Sequence, residues 1–160
     1  MIDLWMLLLS IRSRFADAIY SGAKRFEFRR LTPRRSIPGL ALIYETLPVG
    51  MVTGIAHVAS ASSLTPEGAA RVAGSDDPFA NAYEGYLQGA MSPCALALVR
   101  PRRFTAPIGL TQLTNLRRPP QSFAYVEVDS ALLTALLPPE SCHSTASAFA
   151  DGTAAFSDSP

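Results

Sequence analysis

Gly22-Ala23-Lys24-Arg25-Phe26-Glu27-Phe28-Arg29 turns a helical pattern into a strand pattern within a few residues. Upstream of it, Ile11, Phe15, Ala18 and Ile19 recur at the spacing that lines one face of a helix, so residues 12–21 read as a short helix. Ser10 or Ser13 is placed to cap that helix, and Gly22 suits the left-handed residue at which a helix ends. Downstream, alternation takes over. Phe26 and Phe28 fall on one side and Arg25, Glu27 and Arg29 on the other, the pattern of a half-buried strand over residues 25–30. Glu27 and Arg29 therefore share a face and can point into one cleft. Lys24 has the opposite parity, but it follows the turn at Gly22, so its ammonium is expected to reach that cleft from the rim.

Working outward, residues 5–11 form an apolar run that reads as a buried strand, with further strands at 39–44, 51–61, 94–99 and 122–128. Residues 65–73 read as a helix with Thr65 as cap and Pro66 at its first position. Residues 78–87 read as another, stopped by Gly89, and 130–137 as a closing helix. Five or six short strands interrupted by short helices predict an α+β fold built on a small mixed sheet or barrel, and they argue against a doubly wound parallel sheet. After Pro138 the composition shifts to Ser, Ala, Thr and Asp. A domain over 1–138 and a disordered tail over 139–160 are expected.

The formal net charge of +1 hides a polarised chain. Residues 10–35 carry eight basic and two acidic side chains, a local charge of +6, and residues 100–118 carry five arginines and no acid. The remainder sums to −10, so a polyanionic partner is compatible with the sequence. Thirteen of the fourteen basic residues are arginine, which leaves Lys24 as the sole lysine.

The N-terminal apolar run is far below the ~20 residues that span a bilayer and lacks signal-peptide features, so no membrane partner is expected. Two cysteines, Cys94 and Cys142, and two scattered histidines predict no structural disulfide, no zinc site, no cofactor and a cytoplasmic location. His57 reads as a packed core residue, and Tyr44 and Tyr86 as aromatics at the core's edge, with base stacking as the alternative.

The quoted stretch resembles the GxKxxExR signature of the ASCH (activating-signal-cointegrator homology) domain family. Five further motifs fall in the family's order. Leu9-Ser10-Ile11 matches its LLSI opening, Ile43-Tyr44-Glu45-Thr46-Leu47-Pro48 its IYxTxP strand end, and Val52-Thr53-Gly54 its next strand. Tyr86-Leu87-Gln88-Gly89 is similar to its YFxG turn, and Pro119-Pro120-Gln121-Ser122-Phe123 matches its PPQSF element.

This resemblance implies a PUA-like β-barrel with short flanking helices, and an RNA or nucleotide ligand held in a basic cleft beside the signature, with regulation as one use of that binding. The residues expected to bind nucleic acid are Ser10, Arg12, Lys24, Glu27, Arg29, Arg30, Thr46, Gln121 and Ser122. Arg29 offers a planar fork for a phosphate or base edge, and Glu27 an acceptor for base N–H groups or a brace for Arg29. Lys24 offers a point charge, or a proton acceptor if its pKa is lowered.

The alternative is an enzyme on the same scaffold, a ribonuclease or a hydrolase of a modified nucleoside such as acetylcytidine, with Lys24, Glu27 and Tyr44 as catalytic candidates. In the family's acetylcytidine amidohydrolase branch the resemblance implies a threonine nucleophile at the position that Glu27 occupies here. A glutamate there cannot serve as that hydroxyl.

Overall fold

A computed structural model describes residues 4–35 and 39–139. The first strand, β1 (Leu4–Ile11), lacks alternation because both its faces are buried. Met6 and Leu8 enter one hydrophobic core, and Leu7, Leu9 and Ile11 enter a second. The helix α1 (Ser13–Ser21) follows and packs Ala16 and Ile19 into the second core. It ends at Gly22, whose φ of 86° is left-handed and whose N–H reaches Ile19 O, as its sequence predicts. Its N-terminus departs from expectation. Arg12 occupies the cap position with no side-chain hydrogen bond, and the Ser13 hydroxyl is buried without a partner. Ser10 is still within β1, and its hydroxyl donates to Pro120 O instead.

The strands β2 (Phe26–Arg29), β3 (Leu40–Glu45), β4 (Met51–Ser63), β5 (Cys94–Ile108) and β6 (Phe123–Val128) complete one sheet in the order β2-β5-β4-β3-β1-β6. β1 and β3 run parallel and every other pair is antiparallel. This is the small mixed sheet with short helices that the alternation and spacing predict. Its backbone ladder is open, with β2 and β6 at the two edges.

β4 and β5 are longer than expected because bulges let them bend and continue. Between His57↔Val99 and Ile55↔Arg102, two residues of β5, Arg100 and Pro101, face Ala56 alone. Arg100 takes a positive φ there, and Pro101, with no N–H to donate, is tolerated at the irregularity. The arginines at 100–103 thus lie within a strand rather than beyond its end. His57 is half-buried rather than a full core residue.

Residues 65–73 and 78–87 each contain a 3₁₀ turn followed by one short helix, α2 (Ala69–Ala73) and α3 (Tyr83–Leu87). Pro66 opens the first as expected, but Thr65 caps it with no side-chain bond. Both helices cover the outer face of β2 and β5 through a third cluster that includes Phe28, Ala73, Tyr83, Leu87 and Ala95. β2 is therefore buried on both faces, not half-buried. A short helix the pattern did not announce, α4 (Leu110–Leu113), buries Leu110 and Leu113 in the first core. The closing helix α5 (Ser130–Leu136) is capped by Asp129, whose carboxylate accepts from Leu132 N at 3.0 Å. The expected tail lies, from residue 140 onward, outside the described residues, as does Cys142. Among the described residues no helix is long and apolar enough to cross a membrane.

α1 docks on the sheet at Gly54. A Cβ there would stand 2.3 Å from Arg102 O and 2.5 Å from the Tyr20 hydroxyl, which itself bonds the Thr53 hydroxyl at 2.9 Å. Because the first of these atoms is backbone, Gly54→Ala is expected to lower stability by about 1–3 kcal/mol or more. Gly85 in α3 has nothing within 4 Å of an added Cβ. Gly85→Ala is expected to leave stability unchanged or raise it by up to about 1 kcal/mol. Urea unfolding of the two variants checks the pair.

Candidate functional site

β2 alternates its side chains between two layers. Phe26 and Phe28 turn to α2 and α3, while Glu27 and Arg29, opposite Leu96 and Cys94 of β5, turn toward β1. Arg29 is 4% exposed and donates along two directions. One terminal nitrogen reaches Ser122 O at 2.9 Å and the Ser122 hydroxyl at 3.3 Å. The other reaches Ser10 O at 3.0 Å and Glu27 Oε1 at 2.8 Å. Ser122 leads into β6 and Ser10 belongs to β1, so this one guanidinium spans from one edge strand to the other side of the opening. Its Nε is buried with no partner.

Lys24 is 2% exposed and lies in the floor, not at the rim. The chain leaves α1 through Lys24 N–H donating to Ala18 O, which turns the side chain inward beneath the helix. Its Nζ donates to Phe26 O at 2.6 Å and to the Tyr83 hydroxyl at 2.8 Å, and it lies 3.4 Å from Glu27 Oε2. The rings of Tyr83, Phe28 and Phe15 stand 4.4, 5.2 and 5.6 Å from the ammonium and enclose it. Burial pushes the Lys24 pKa down, against the opposing pull of Glu27 and Asp77. The Tyr83 hydroxyl accepts from Lys24 and donates to the buried Asp77 carboxylate, 2.9 Å away. Burial, and after it that carboxylate, hold the Tyr83 phenol well above its ordinary pKa. The floor is therefore a chain of alternating charge and hydroxyl: Arg29, Glu27, Lys24, Tyr83, Asp77.

Above this floor opens a cleft of about 540 Å³, within the ~300–1,000 Å³ usual for ligand sites. Of the residues the sequence singles out, Ser10, Arg12, Lys24, Glu27, Arg29, Thr46 and Gln121 line it. Arg12 and Arg14 are exposed, and neither has an acidic partner among the described residues. Arg14 rests on the Phe15 ring at 4.6 Å.

Three selected residues are elsewhere. Tyr44 is buried in the first core beside Leu42 and Val52 and is not among the lining residues. Arg30 donates to Tyr86 O and Gln88 O, which ties the strand to α3. Ser122 is spent on Arg29. The sequence reading missed Arg14, Phe15 and Tyr83 as lining residues and took Tyr86, which is 46% exposed in the cleft, as an edge aromatic. Arg14 and Phe15 were legible, since both lie one helical turn or less from the start of α1 that the cleft abuts. Tyr83 and Asp77 come from a distant layer, and no local spacing announces them.

Two arginines of the second basic cluster are turned to holding the fold. Arg103 pairs with Asp17 and with the buried Glu45, and its guanidinium lies 4.2 Å from the Tyr20 ring centroid. Burial drives the Tyr20 pKa up to about 12. Arg102 donates to Pro138 O at 2.7 Å. Arg117 and Arg118 are exposed ahead of Pro119. Among the described residues no three His, Cys, Asp or Glu side chains come together as a metal site.

Comparison with known proteins gives a consistent result. The ASCH domain model matches residues 9–100. An ASCH domain-containing ribonuclease of Zymomonas mobilis is 31% identical over 127 residues, covering 74% of this chain and 82% of the relative. The crystal structure of ASCH from Zymomonas mobilis superposes with a TM-score of 0.67 at 28% identity, over 83% of this chain and 96% of that one. A tyrosine-to-phenylalanine variant of the Zymomonas mobilis protein superposes at 0.68 and 27% identity, over 83% of this chain and 99% of that one.

Arg29 answers the buried charge of Glu27 and donates to Ser10 O and Ser122 O, so Arg29→Ala is expected to cost about 3–5 kcal/mol by leaving buried Glu27 with one cation and removing the side-chain donors from those carbonyls. Chemical denaturation checks it. A loss below about 1 kcal/mol would contradict the edge-spanning role.

Proposed function

Because the chain belongs to the ASCH domain family, we propose that it binds single-stranded RNA or a nucleotide in the cleft above Glu27. One observation carries this reading: two exposed arginines, Arg12 and Arg14, with no acidic partner among the described residues, border a hydrogen-bonding floor inside a cleft of nucleotide size. The arginines supply the phosphate contacts that position a strand. Tyr86, half exposed at the cleft, supplies a stacking face for an unpaired base. Ser10, Thr46 and Gln121 supply hydroxyl and amide groups suited to base and sugar edges.

Arg29 does not serve as the phosphate fork in this reading, because its terminal nitrogens are already committed to Ser10, Ser122 and Glu27. Lys24 likewise directs its three protons at Phe26 O, the Tyr83 hydroxyl and Glu27. Both cations hold Glu27 in place, and Glu27 meets the ligand.

Binding is expected to weaken with salt, with log affinity falling by about 0.7 per decade of salt for each phosphate neutralised. Arg12→Ala with Arg14→Ala is expected to lower affinity for a short single-stranded RNA and to flatten that slope by roughly 1.4. Fluorescence anisotropy over a salt series measures both, and an unchanged slope would remove the arginines from the site.

A ribonuclease reading is favoured by the activity named for the 31% identical relative and by the lowered pKa of Lys24. Labelled RNA, incubated with and without divalent metal, separates the two readings. Cleavage that Lys24→Met abolishes, with the fold intact, would make the protein an enzyme. Binding without product under either condition leaves it a binder.

A further inference from the structure

The carboxylate of Glu27 is held in an unusual way for a residue that faces a cleft. It is buried to 8% exposure, Arg29 occupies one position on Oε1 and Lys24 one on Oε2. No other hydrogen bond reaches it among the described residues, and it lines the cleft. Each carboxylate oxygen has two acceptor positions, so one remains on each of the two adjacent oxygens. The side chain cannot rotate to offer anything else without breaking both ion pairs.

We propose that Glu27 makes this site selective for guanine, an inference that rests on the cleft being the nucleotide site. An ionised carboxylate accepts and never donates. It pairs best with a base edge that places two N–H donors next to each other, and single-stranded bases are read on their Watson–Crick edges. Guanine has such a pair in N1–H and the 2-amino group. Adenine and cytosine each set one amino donor beside a ring nitrogen that accepts, and uracil flanks one N–H with two carbonyls. Those three edges bring a lone pair against a carboxylate oxygen, which repels it. Tyr86, at the same cleft, can stack on the base without regard to its identity, so discrimination falls to Glu27.

The test uses short uridine-rich single-stranded RNAs that differ at one central position: guanosine, inosine, adenosine, cytidine or uridine. The guanosine strand is expected to bind about tenfold or more tightly than the adenosine, cytidine and uridine strands. Inosine, which keeps N1–H and lacks the 2-amino group, is expected to fall between. Glu27→Gln, whose amide replaces one acceptor with a donor, is expected to level the series.

Inosine binding as well as guanosine, or a preference for another base, overturns the assignment in the wild-type protein alone, whatever the variant's stability. If all five strands bind equally and Arg12→Ala with Arg14→Ala weakens them together, guanine selectivity fails while the cleft remains the nucleotide site. Binding of none of them at low salt brings down both.

Discussion

A single buried guanidinium governs this molecule. The sheet runs from β2 to β6 without a backbone ladder joining its ends, and Arg29 on β2 supplies the hydrogen bonds that a ladder would have made. It caps Ser122 O at the entrance to β6 and Ser10 O on β1. A charge buried this deeply costs several kcal/mol unless it is answered. Glu27 answers it, and Glu27, now buried too, is answered in turn by Lys24. Lys24 needs acceptors of its own and finds Phe26 O and the Tyr83 hydroxyl, which leans on Asp77. Each requirement recruits the next, until the outer helical layer is bound to the sheet's open edge.

The same chain of requirements produces the site. A gap closed by a side chain rather than by a ladder leaves room on the surface above it, and the cleft lies there. Its floor is a fixed, charge-balanced set of groups, while its border carries Arg12 and Arg14, which have no acidic partner among the described residues. Positive charge is thus spent in two ways within the first basic cluster. Arg29 and Lys24 organise, and the arginines at the start of α1 remain available. In the second cluster Arg103 follows the organising pattern, committed to Asp17 and Glu45.

Much of this was legible in the chain before any coordinates. The alternation at Phe26, Glu27, Phe28 and Arg29 puts the two charged residues on one face, and the isolation of Lys24 singles it out, though at the rim rather than in the floor where it lies. Strand order and burial were not legible. A four-residue strand with charged residues on one side looks half-exposed, and only the arrival of α2 and α3 on one face and β1 on the other buries both. Lys24 was misplaced to the rim because parity says nothing about a side chain that bends beneath the preceding helix. Tyr83 and Asp77 were invisible for a different reason: they lie more than fifty residues away, and their role depends on a layer packed by ordinary apolar residues. The bulge at Arg100 and Pro101, which carries β5 past its expected end, shows no local signal beyond the proline itself.

That the groups closing the sheet also form the floor of the ligand site is the proposal on which the rest stands. It is tested most directly by an NMR titration of the isotopically labelled protein with a short single-stranded RNA. The largest perturbations are expected at Ser10, Arg12, Glu27, Tyr86 and Gln121, while Arg102 and Arg103 stay unmoved. Perturbations confined to residues 100–118, with the cleft silent, would contradict it.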